Sequence, residues 1–163
     1  MANNESLIKR YFSLALWLGL FQLISFGMSF ITRANLSDWY VTLNKSILTP
    51  PGFVFGIVWT ILYVFLALIG WMLFTDNNYK QLKYLKRYYG IQMLLNWAWT
   101  PLFFHFHYTH SAFIVLIIMI FLVARLIFLS FQANFKIAGY LLLPYWIWIC
   151  FASYLNGWIV FLN

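Results

Sequence analysis

Five long apolar runs separated by short polar segments organise this chain. Each run is long enough for a helix that crosses the hydrocarbon of a bilayer, which takes about 20 residues. The connections are short, so neighbouring helices should run antiparallel. The pattern therefore predicts an all-α integral membrane protein, with residues 1–163 forming one five-helix transmembrane bundle. The expected spans are Tyr11–Ile31, Phe53–Phe74, Leu85–Phe106, Ala112–Phe131 and Ala138–Leu162.

The composition supports lipid as the medium of this chain. Hydrophobic residues make up 64% of it and charged residues only 8%, against roughly 25% charged in soluble domains. A soluble domain of this size could not bury so much apolar surface. The net charge of +7 is therefore interpreted as loop charge, and no nucleic-acid partner is expected. The single cysteine, Cys150, excludes a disulfide within the chain.

Lysine and arginine residues predict the orientation of the bundle. The N-terminus shares one side with the second and fourth loops, and the first loop on the opposite side holds Arg33 and Lys45. Because cytoplasmic loops carry the excess of positive residues, the N-terminus should be cytoplasmic and the C-terminus outside. A bacterial cytoplasmic membrane is expected, with the mitochondrial outer membrane as the alternative. The residues of the basic side are Lys9, Arg10, Lys80, Lys83, Lys86, Arg87 and Lys136.

The second run opens on a rigid corner, Pro50-Pro51-Gly52. Proline is tolerated where a helix starts, since the missing N–H would have no intrahelical partner there. The corner should set the angle at which the helix enters the bilayer. Trp59 and Tyr63 are four residues apart and so lie on one face of that helix.

The first loop contains a short amphipathic pattern. Leu36, Trp39, Tyr40 and Leu43 follow the i, i+3, i+4, i+7 spacing of one helix face. This predicts a short helix that starts near a cap at Ser37 or Asn35. Two interpretations stay open. The helix could lie on the lipid headgroups, or it could form a lid over the bundle mouth with Tyr40 pointing inward.

Several tryptophans lie too deep for the interfacial belts that this residue usually forms. The mid-span examples are Trp97, Trp99, Trp146 and Trp148. The third run adds a polar row of Gln92, Asn96 and Thr100, and the fifth adds a face of Tyr145, Trp148, Ala152 and Asn156. Such aromatic walls with a few polar groups are typical of a pocket for a flat apolar ligand. The alternative is that the polar groups only bond helix to helix. Pro101 and Pro144 should kink their helices.

Residues for acid–base or nucleophilic catalysis are lacking. The acidic residues Glu5, Asp38 and Asp76 fall in termini or loops, which argues against an ion-coupled transporter. His105, His107 and His110 form a cluster near the third loop. A solvated loop is favoured there, although two or three histidines could ligate a metal or a haem iron. We expect no resident cofactor or metal.

Three groups of motifs, in this order along the five spans, resemble the TspO/MBR family of translocator proteins and tryptophan-rich sensory proteins. The resemblance covers nearly the whole chain. It rests on Pro50-Pro51-Gly52-Phe53-Val54-Phe55 with Val58-Trp59 and Leu62-Tyr63, on Leu95-Asn96-Trp97-Ala98-Trp99 with Phe103-Phe104, and on Leu142-Leu143-Pro144-Tyr145 with Trp148, Phe151-Ala152 and Tyr154-Leu155-Asn156.

This resemblance implies five helices around a hydrophobic pocket, the first loop as a lid, and usually a homodimer. It also implies ligands such as protoporphyrin IX, haem, sterols in some members, and benzodiazepine-type drugs. By motif match, the ligand-binding residues would be Tyr40, Trp59, Tyr63, Asn96, Trp99, Thr100, Tyr145, Trp148 and Ala152.

The resemblance leaves more than one function open. The leading hypothesis is a membrane receptor or carrier for tetrapyrroles and other flat apolar ligands, in stress response or porphyrin homeostasis. The second is a light-dependent porphyrin-degrading enzyme that depends on Trp59 and Trp148. The third is a membrane scaffold whose pocket is vestigial. Outside the family, a haem-handling protein would use His105 and His107.

Overall fold

The computed structural model describes residues 2–36, 38–80 and 82–163, and these form five α-helices without a strand. The five predicted spans are confirmed as helices. Within the described residues, α1, α2, α4 and α5 each have the length and hydropathy to cross a membrane, and α3 is packed among them. The chain is thus a multi-pass membrane protein. The helices are α1 (Ala2–Leu36), α2 (Gly52–Thr75), α3 (Lys83–Thr100), α4 (Thr109–Gln132) and α5 (Lys136–Leu162).

The proline corner starts α2 as expected. Pro51 occupies the position before the first helical residue, Gly52, and its carbonyl accepts a hydrogen bond from the Val54 N–H at 3.0 Å. Two prolines in a row remove two backbone donors at a point where no intrahelical acceptor exists for them. The corner therefore ends the first loop and begins the helix within a few residues.

The short helix predicted in the first loop is wrong in its start and its length. Leu36 is the last residue of α1, and Asn35 does not cap a new helix because its side-chain amide donates to the Ile31 carbonyl at 3.0 Å. Ser37, the other predicted cap, lies outside the described residues. Only Tyr40–Thr42 are helical, as a single 3₁₀ turn. A single turn forms few backbone hydrogen bonds. Contacts with the helix bundle must therefore keep the first loop in its conformation.

The two prolines within the spans act differently. At Pro101 the α-helix of α3 gives way to a π-helical segment, Pro101–His105, whose wider turn accommodates the missing N–H. The predicted third span, Leu85–Phe106, is therefore built from two kinds of helix. In contrast, α5 stays α-helical through Pro144.

The basic segments meet at one end of the bundle, which we call the basic end. The Arg10 guanidinium lies 3.1 Å from the Asp76 carboxylate and stacks over the Trp71 ring at 5.3 Å. The Lys86 ammonium donates to the Lys80 carbonyl at 2.7 Å. The start of α1, the end of α2 and the start of α3 therefore share this end. The first loop lies at the opposite end, which we call the lid end.

Gly70 marks the closest approach of α1, α2 and α3. A methyl group at Gly70 would collide with the Trp17 ring and would lie 2.7 Å from the Tyr89 hydroxyl. That hydroxyl cannot move freely, because it donates to the Leu66 carbonyl at 2.7 Å. Small residues at such crossings are what lets membrane helices pack closely.

Gly70→Ala should therefore lower the free energy of unfolding by about 1–3 kcal/mol, the usual cost of overpacking. Thermal denaturation in detergent, followed by circular dichroism, measures this change. Gly56→Ala in the same helix is the matched control, because nothing lies within 4 Å of the added methyl. It should be neutral or slightly stabilising through helix propensity. Equal melting temperatures for the two variants would contradict the tight packing of the three helices at Gly70.

Candidate functional site

A buried polar network joins α2, α3 and α5 at the centre of the bundle. The Tyr63 hydroxyl donates to Asn96 Oδ1 at 2.8 Å, and Asn96 Nδ2 donates to the Tyr145 hydroxyl at 3.1 Å. The Tyr145 hydroxyl in turn donates to Gln92 Oε1 at 2.9 Å. All four side chains are buried, with Tyr145 and Gln92 at 0% exposure. Three of the predicted ligand-binding residues therefore form one chain of hydrogen bonds.

Trp59 lies against this network from α2. Its ring centroid is 5.8 Å from that of Tyr63 and 6.5 Å from that of Tyr145, in edge-to-face arrangements. Edge-to-face packing is favourable because the positive edge of one ring meets the negative face of another. Trp59, Tyr63 and Tyr145 therefore form one group of rings in contact.

Trp148 and Ala152 continue the wall along α5. The Trp148 ring packs edge-on to Phe55 of α2 at 5.7 Å. Ala152 is one turn further along and is 7% exposed. Ala152 is thus buried against the core of the bundle.

A second aromatic cluster lies at the lid end. Trp99 stacks on Phe103 at 5.2 Å, and Phe103 and Phe104 both contact the Tyr40 ring, at 6.2 and 5.7 Å. Tyr40 therefore points inward, as the lid interpretation predicts, and burial raises the pKa of its hydroxyl. Trp99 also packs against the central core. It connects the lid cluster with the polar network, while Thr100 lies half-buried beside it at the end of α3.

Unpartnered donors characterise the interior. In the described part of the chain, each buried side-chain polar atom without a hydrogen-bond partner is an N–H group. They belong to Trp71, Gln92, Trp97, Trp99 and Trp148. An unpaired buried donor carries a desolvation cost of about 1–3 kcal/mol, and this cost is relieved by a ligand that brings acceptor atoms. Trp99 and Trp148 are the two from the predicted site.

Two tryptophans of α5 that looked equivalent in sequence differ in this respect. Trp146 Nε1 donates to the Ile120 carbonyl of α4 at 3.0 Å, so its polar group serves helix packing. Trp148 Nε1 has no such partner. Asn156, on the predicted α5 face, also serves packing. With its amide oriented to satisfy both atoms, it donates to the Thr109 carbonyl and accepts from the Phe113 N–H at the start of α4.

The lid is fastened to the bundle by several polar contacts. Asn163 Oδ1 accepts from the Asn44 N–H at 2.9 Å, and Asn163 Nδ2 donates to the Asn44 carbonyl at 3.0 Å. The Ser46 and Tyr154 hydroxyls lie 3.1 Å apart. Within the lid, the Lys45 ammonium donates to the Tyr40 and Leu43 carbonyls at 2.8 Å. These bonds close the lid against the end of α5.

Asn163→Ala should loosen the lid, because it removes both bonds to Asn44. A loss of about 1 kcal/mol corresponds to roughly fivefold faster amide exchange in residues 38–48. Hydrogen exchange with mass spectrometry measures this rate. Asn78→Ala, on an exposed loop at the basic end, is the control and should leave the lid peptides unchanged. Unchanged exchange in both variants would contradict the fastening role.

The structure also locates residues that the sequence did not assign to the site. Gln92 was expected only as part of a polar row, and Phe55, Phe103 and Phe104 only as family motifs. The one available signal was the four-residue spacing of Gln92 and Asn96, which places both on the same face of α3.

The histidine cluster does not assemble into a metal site. Within the described residues, no group of three histidine, cysteine or carboxylate side chains is close enough to hold a metal ion. His107 instead stacks on Trp39 with ring centroids 4.0 Å apart. Its backbone adopts a positive φ of 57°, which turns the chain between the π-helical segment and α4. The histidine ring thereby packs against the lid.

Comparison with known proteins identifies this arrangement. The model of the TspO/MBR family matches residues 17–162. The tryptophan-rich protein TspO of Chlorobaculum tepidum is 34% identical over 95% of this chain and 98% of its own length. The translocator protein of Homo sapiens is 32% identical over 89% of this chain and 83% of its own. The tryptophan-rich sensory protein of Cereibacter sphaeroides is 34% identical, with 73% of each chain covered.

Proposed function

The chain belongs to the TspO/MBR family, and on that basis we propose that it is a membrane receptor or carrier for tetrapyrroles and similar flat apolar ligands. Protoporphyrin IX and haem are the leading candidates, and sterols and benzodiazepine-type drugs share their flat apolar shape. The role would lie in stress response or porphyrin homeostasis. The proposed binding residues are Tyr40, Trp59, Tyr63, Asn96, Trp99, Thr100, Tyr145, Trp148 and Ala152.

The observation that carries this proposal is the set of unpartnered N–H donors within aromatic walls. Trp99 and Trp148 each offer a flat ring surface and a buried N–H without a partner. A tetrapyrrole such as protoporphyrin IX or haem combines a large flat surface for the rings with propionate carboxylates that accept hydrogen bonds. No buried cation is needed in this arrangement, since the charged edge of such a ligand can remain at the lid end, where Lys45 lies near Tyr40.

The first test is a titration of the purified protein in detergent with protoporphyrin IX in the dark, followed by quenching of tryptophan fluorescence. Saturable quenching at about one porphyrin per chain is expected. Because haem also quenches tryptophan, competition by haem is followed by the loss of the emission of bound protoporphyrin IX. Tryptophan free in the same detergent corrects for non-specific quenching. A linear, unsaturable decrease would contradict the proposal.

Light-dependent porphyrin breakdown is the second candidate function, favoured by the surroundings of Trp59. Its indole lies beside two tyrosine rings, Tyr63 and Tyr145. If the indole loses an electron to an illuminated ligand, these electron-rich rings are close enough to return one. Illumination of the same titrated sample in air tests this. Loss of the porphyrin absorption over several equivalents, slowed in Trp59→Phe, would support an enzyme. Loss limited to one equivalent would leave binding alone.

We further propose that the basic end faces the cytoplasm of a bacterial cell and that two copies of the chain associate. The first proposal rests on the collection of lysine and arginine residues at that end, and bacterial relatives support the compartment. Labelling of single cysteines at positions 83 and 47 in Cys150→Ser protein tests it. Only position 47 should react with an impermeant reagent added to intact cells. Cross-linking in membranes tests the dimer.

A further inference from the structure

A groove between α2 and α5 opens on the outer surface of the bundle. Its volume is about 540 Å³, and its walls include Ile61, Leu62 and Phe65 of α2 with Pro144, Ile147 and Trp148 of α5. This volume is in the range of small-molecule sites. Ile61 and Ile147 are 48% and 63% exposed. Both stretches lie near the middle of their helices, so the groove opens into the hydrocarbon of the bilayer rather than into water.

This groove lies on the same two helices as part of the polar network. Leu62 and Pro144 line the groove, and the residues that follow them, Tyr63 and Tyr145, are members of the network. Leu62 is only 3% exposed and forms the floor. Trp148 belongs both to the groove wall and to the proposed binding site, so a ligand in the groove already lies against one residue of that site.

Trp148 is suited to be the part that moves. Its ring forms part of the groove wall, and its N–H makes no hydrogen bond, so a rotation of this side chain breaks none. Pro144, one turn earlier, has no N–H, and α5 therefore lacks one backbone hydrogen bond beside the groove. A helix bends most easily at such a point.

The other route to the interior is closed in this structure. The lid covers the bundle end, with Tyr40 packed on Phe103 and Phe104 and Asn44 bonded to Asn163. Opening it breaks hydrogen bonds and aromatic contacts, whereas displacing Trp148 breaks ring contacts with Phe55 and Phe151 but no hydrogen bond. The groove walls named above carry no charged side chain, so a charged group would have no partner in the groove.

We infer that the α2–α5 groove is the lateral entrance through which uncharged flat ligands pass from the bilayer to the aromatic site, with Trp148 as its movable wall. This inference rests on the proposed binding function and adds to it the route and the charge state of what enters. Ligands with ionised groups use the lid end instead. The bilayer itself thus supplies the uncharged ligand.

The test uses the full chain in phosphatidylcholine vesicles and the uncharged dimethyl ester of protoporphyrin IX. A cyclodextrin carrier delivers the ester by rapid mixing with the protein vesicles in the dark, and tryptophan quenching follows its binding. A tryptophan-bearing transmembrane peptide in otherwise identical vesicles gives the rate at which the ester enters the bilayer. The double variant Ile61→Phe/Ile147→Phe narrows the groove. Ile114→Phe/Ile118→Phe on α4 is the matched control, since these isoleucines are 58% and 45% exposed.

The groove variant should slow association and dissociation of the ester by the same factor, about tenfold or more for ~1.4 kcal/mol of added barrier. Its dissociation constant should equal that of the wild type, which also shows that the site is intact. The control should match the wild type in both rates. Association that is unchanged in the groove variant but faster in Asn163→Ala would overturn the inference in favour of the lid.

Two other outcomes separate the inference from the proposed function. Binding of the diacid with no binding of the dimethyl ester would refute the entrance for uncharged ligands and leave the proposed function standing. Absence of saturable quenching by either porphyrin would refute the proposed function itself.

Discussion

Asn96→Leu should lower the free energy of unfolding by about 2 kcal/mol, because it breaks the polar network at its centre. The Asn96 amide accepts from the Tyr63 hydroxyl and donates to the Tyr145 hydroxyl. Leucine has the same number of side-chain heavy atoms and the same branching but offers neither group. The Tyr63 hydroxyl would be left buried without an acceptor, which costs about 1–3 kcal/mol, whereas Tyr145 would keep its bond to Gln92.

Thermal denaturation in detergent measures this effect, and a decrease of roughly 4–8 °C in the melting temperature is expected. Gln22→Leu is the matched control. Gln22 also bonds between helices, donating to the Thr60 carbonyl at 3.0 Å, but at an exposed position. Interhelical bonds of this kind contribute about 0.6 kcal/mol on average, so its melting temperature should fall by only a degree or two.

The same variant also tests the assignment of Asn96 to the ligand site. The polar atoms of Asn96 are committed to two tyrosines in this structure, so its contribution to binding should come from holding Tyr63 and Tyr145 in place. Asn96→Leu should then weaken protoporphyrin IX binding together with stability. A variant that melts like the wild type would show that the network has little energetic weight.

Trp148→Ala should weaken protoporphyrin IX binding by roughly fifty- to a hundredfold. The indole offers on the order of 100 Å² of ring surface to a flat ligand, and at about 25 cal/mol per Å² this contact is worth about 2.5 kcal/mol. The dark titration of tryptophan quenching measures the change. Trp158→Ala, on the outer face of the same helix at 37% exposure, should bind like the wild type.

A crossed pair of conservative variants separates the two roles of tryptophan in α5. Trp148→Phe removes a buried N–H without a partner, so it should cost a few-fold in affinity without lowering the melting temperature. Trp146→Phe removes an N–H that is bonded to Ile120, so it should lower the melting temperature and leave the affinity unchanged. If Trp148→Phe instead lowered stability and bound normally, Trp148 would be a packing residue.

Some of the side-chain packing at the candidate site was predictable from sequence because helix geometry is local. The four-residue spacing of Trp59 and Tyr63 places them on one face in any α-helix, and the structure shows their rings in contact. The row of Gln92 and Asn96 on α3 followed in the same way. The membrane itself imposes the five helices, since a chain in hydrocarbon must satisfy its backbone hydrogen bonds internally.

The lid was predicted less well because its conformation is not set by local helix geometry. Its four-residue pattern indicated a helix, but the segment lies outside the hydrocarbon and its conformation depends on distant partners. Tyr40 is held by Phe103 and Phe104, and Asn44 by Asn163 across 119 positions of sequence. Contacts of this range compete with local helix propensity, and here they reduce the helix to one 3₁₀ turn.

The amino-acid sequence by itself determined the medium, the number of helices, the faces they present and the family to which the chain belongs. Each of these depends on composition or on spacing along a single helix. Only the tertiary structure decided which polar groups find partners, and so distinguished Trp146 from Trp148 and placed Gln92 beside Tyr145. Hydrogen bonds between helices depend on helix rotation and separation to within about an ångström, and no local pattern carries that information.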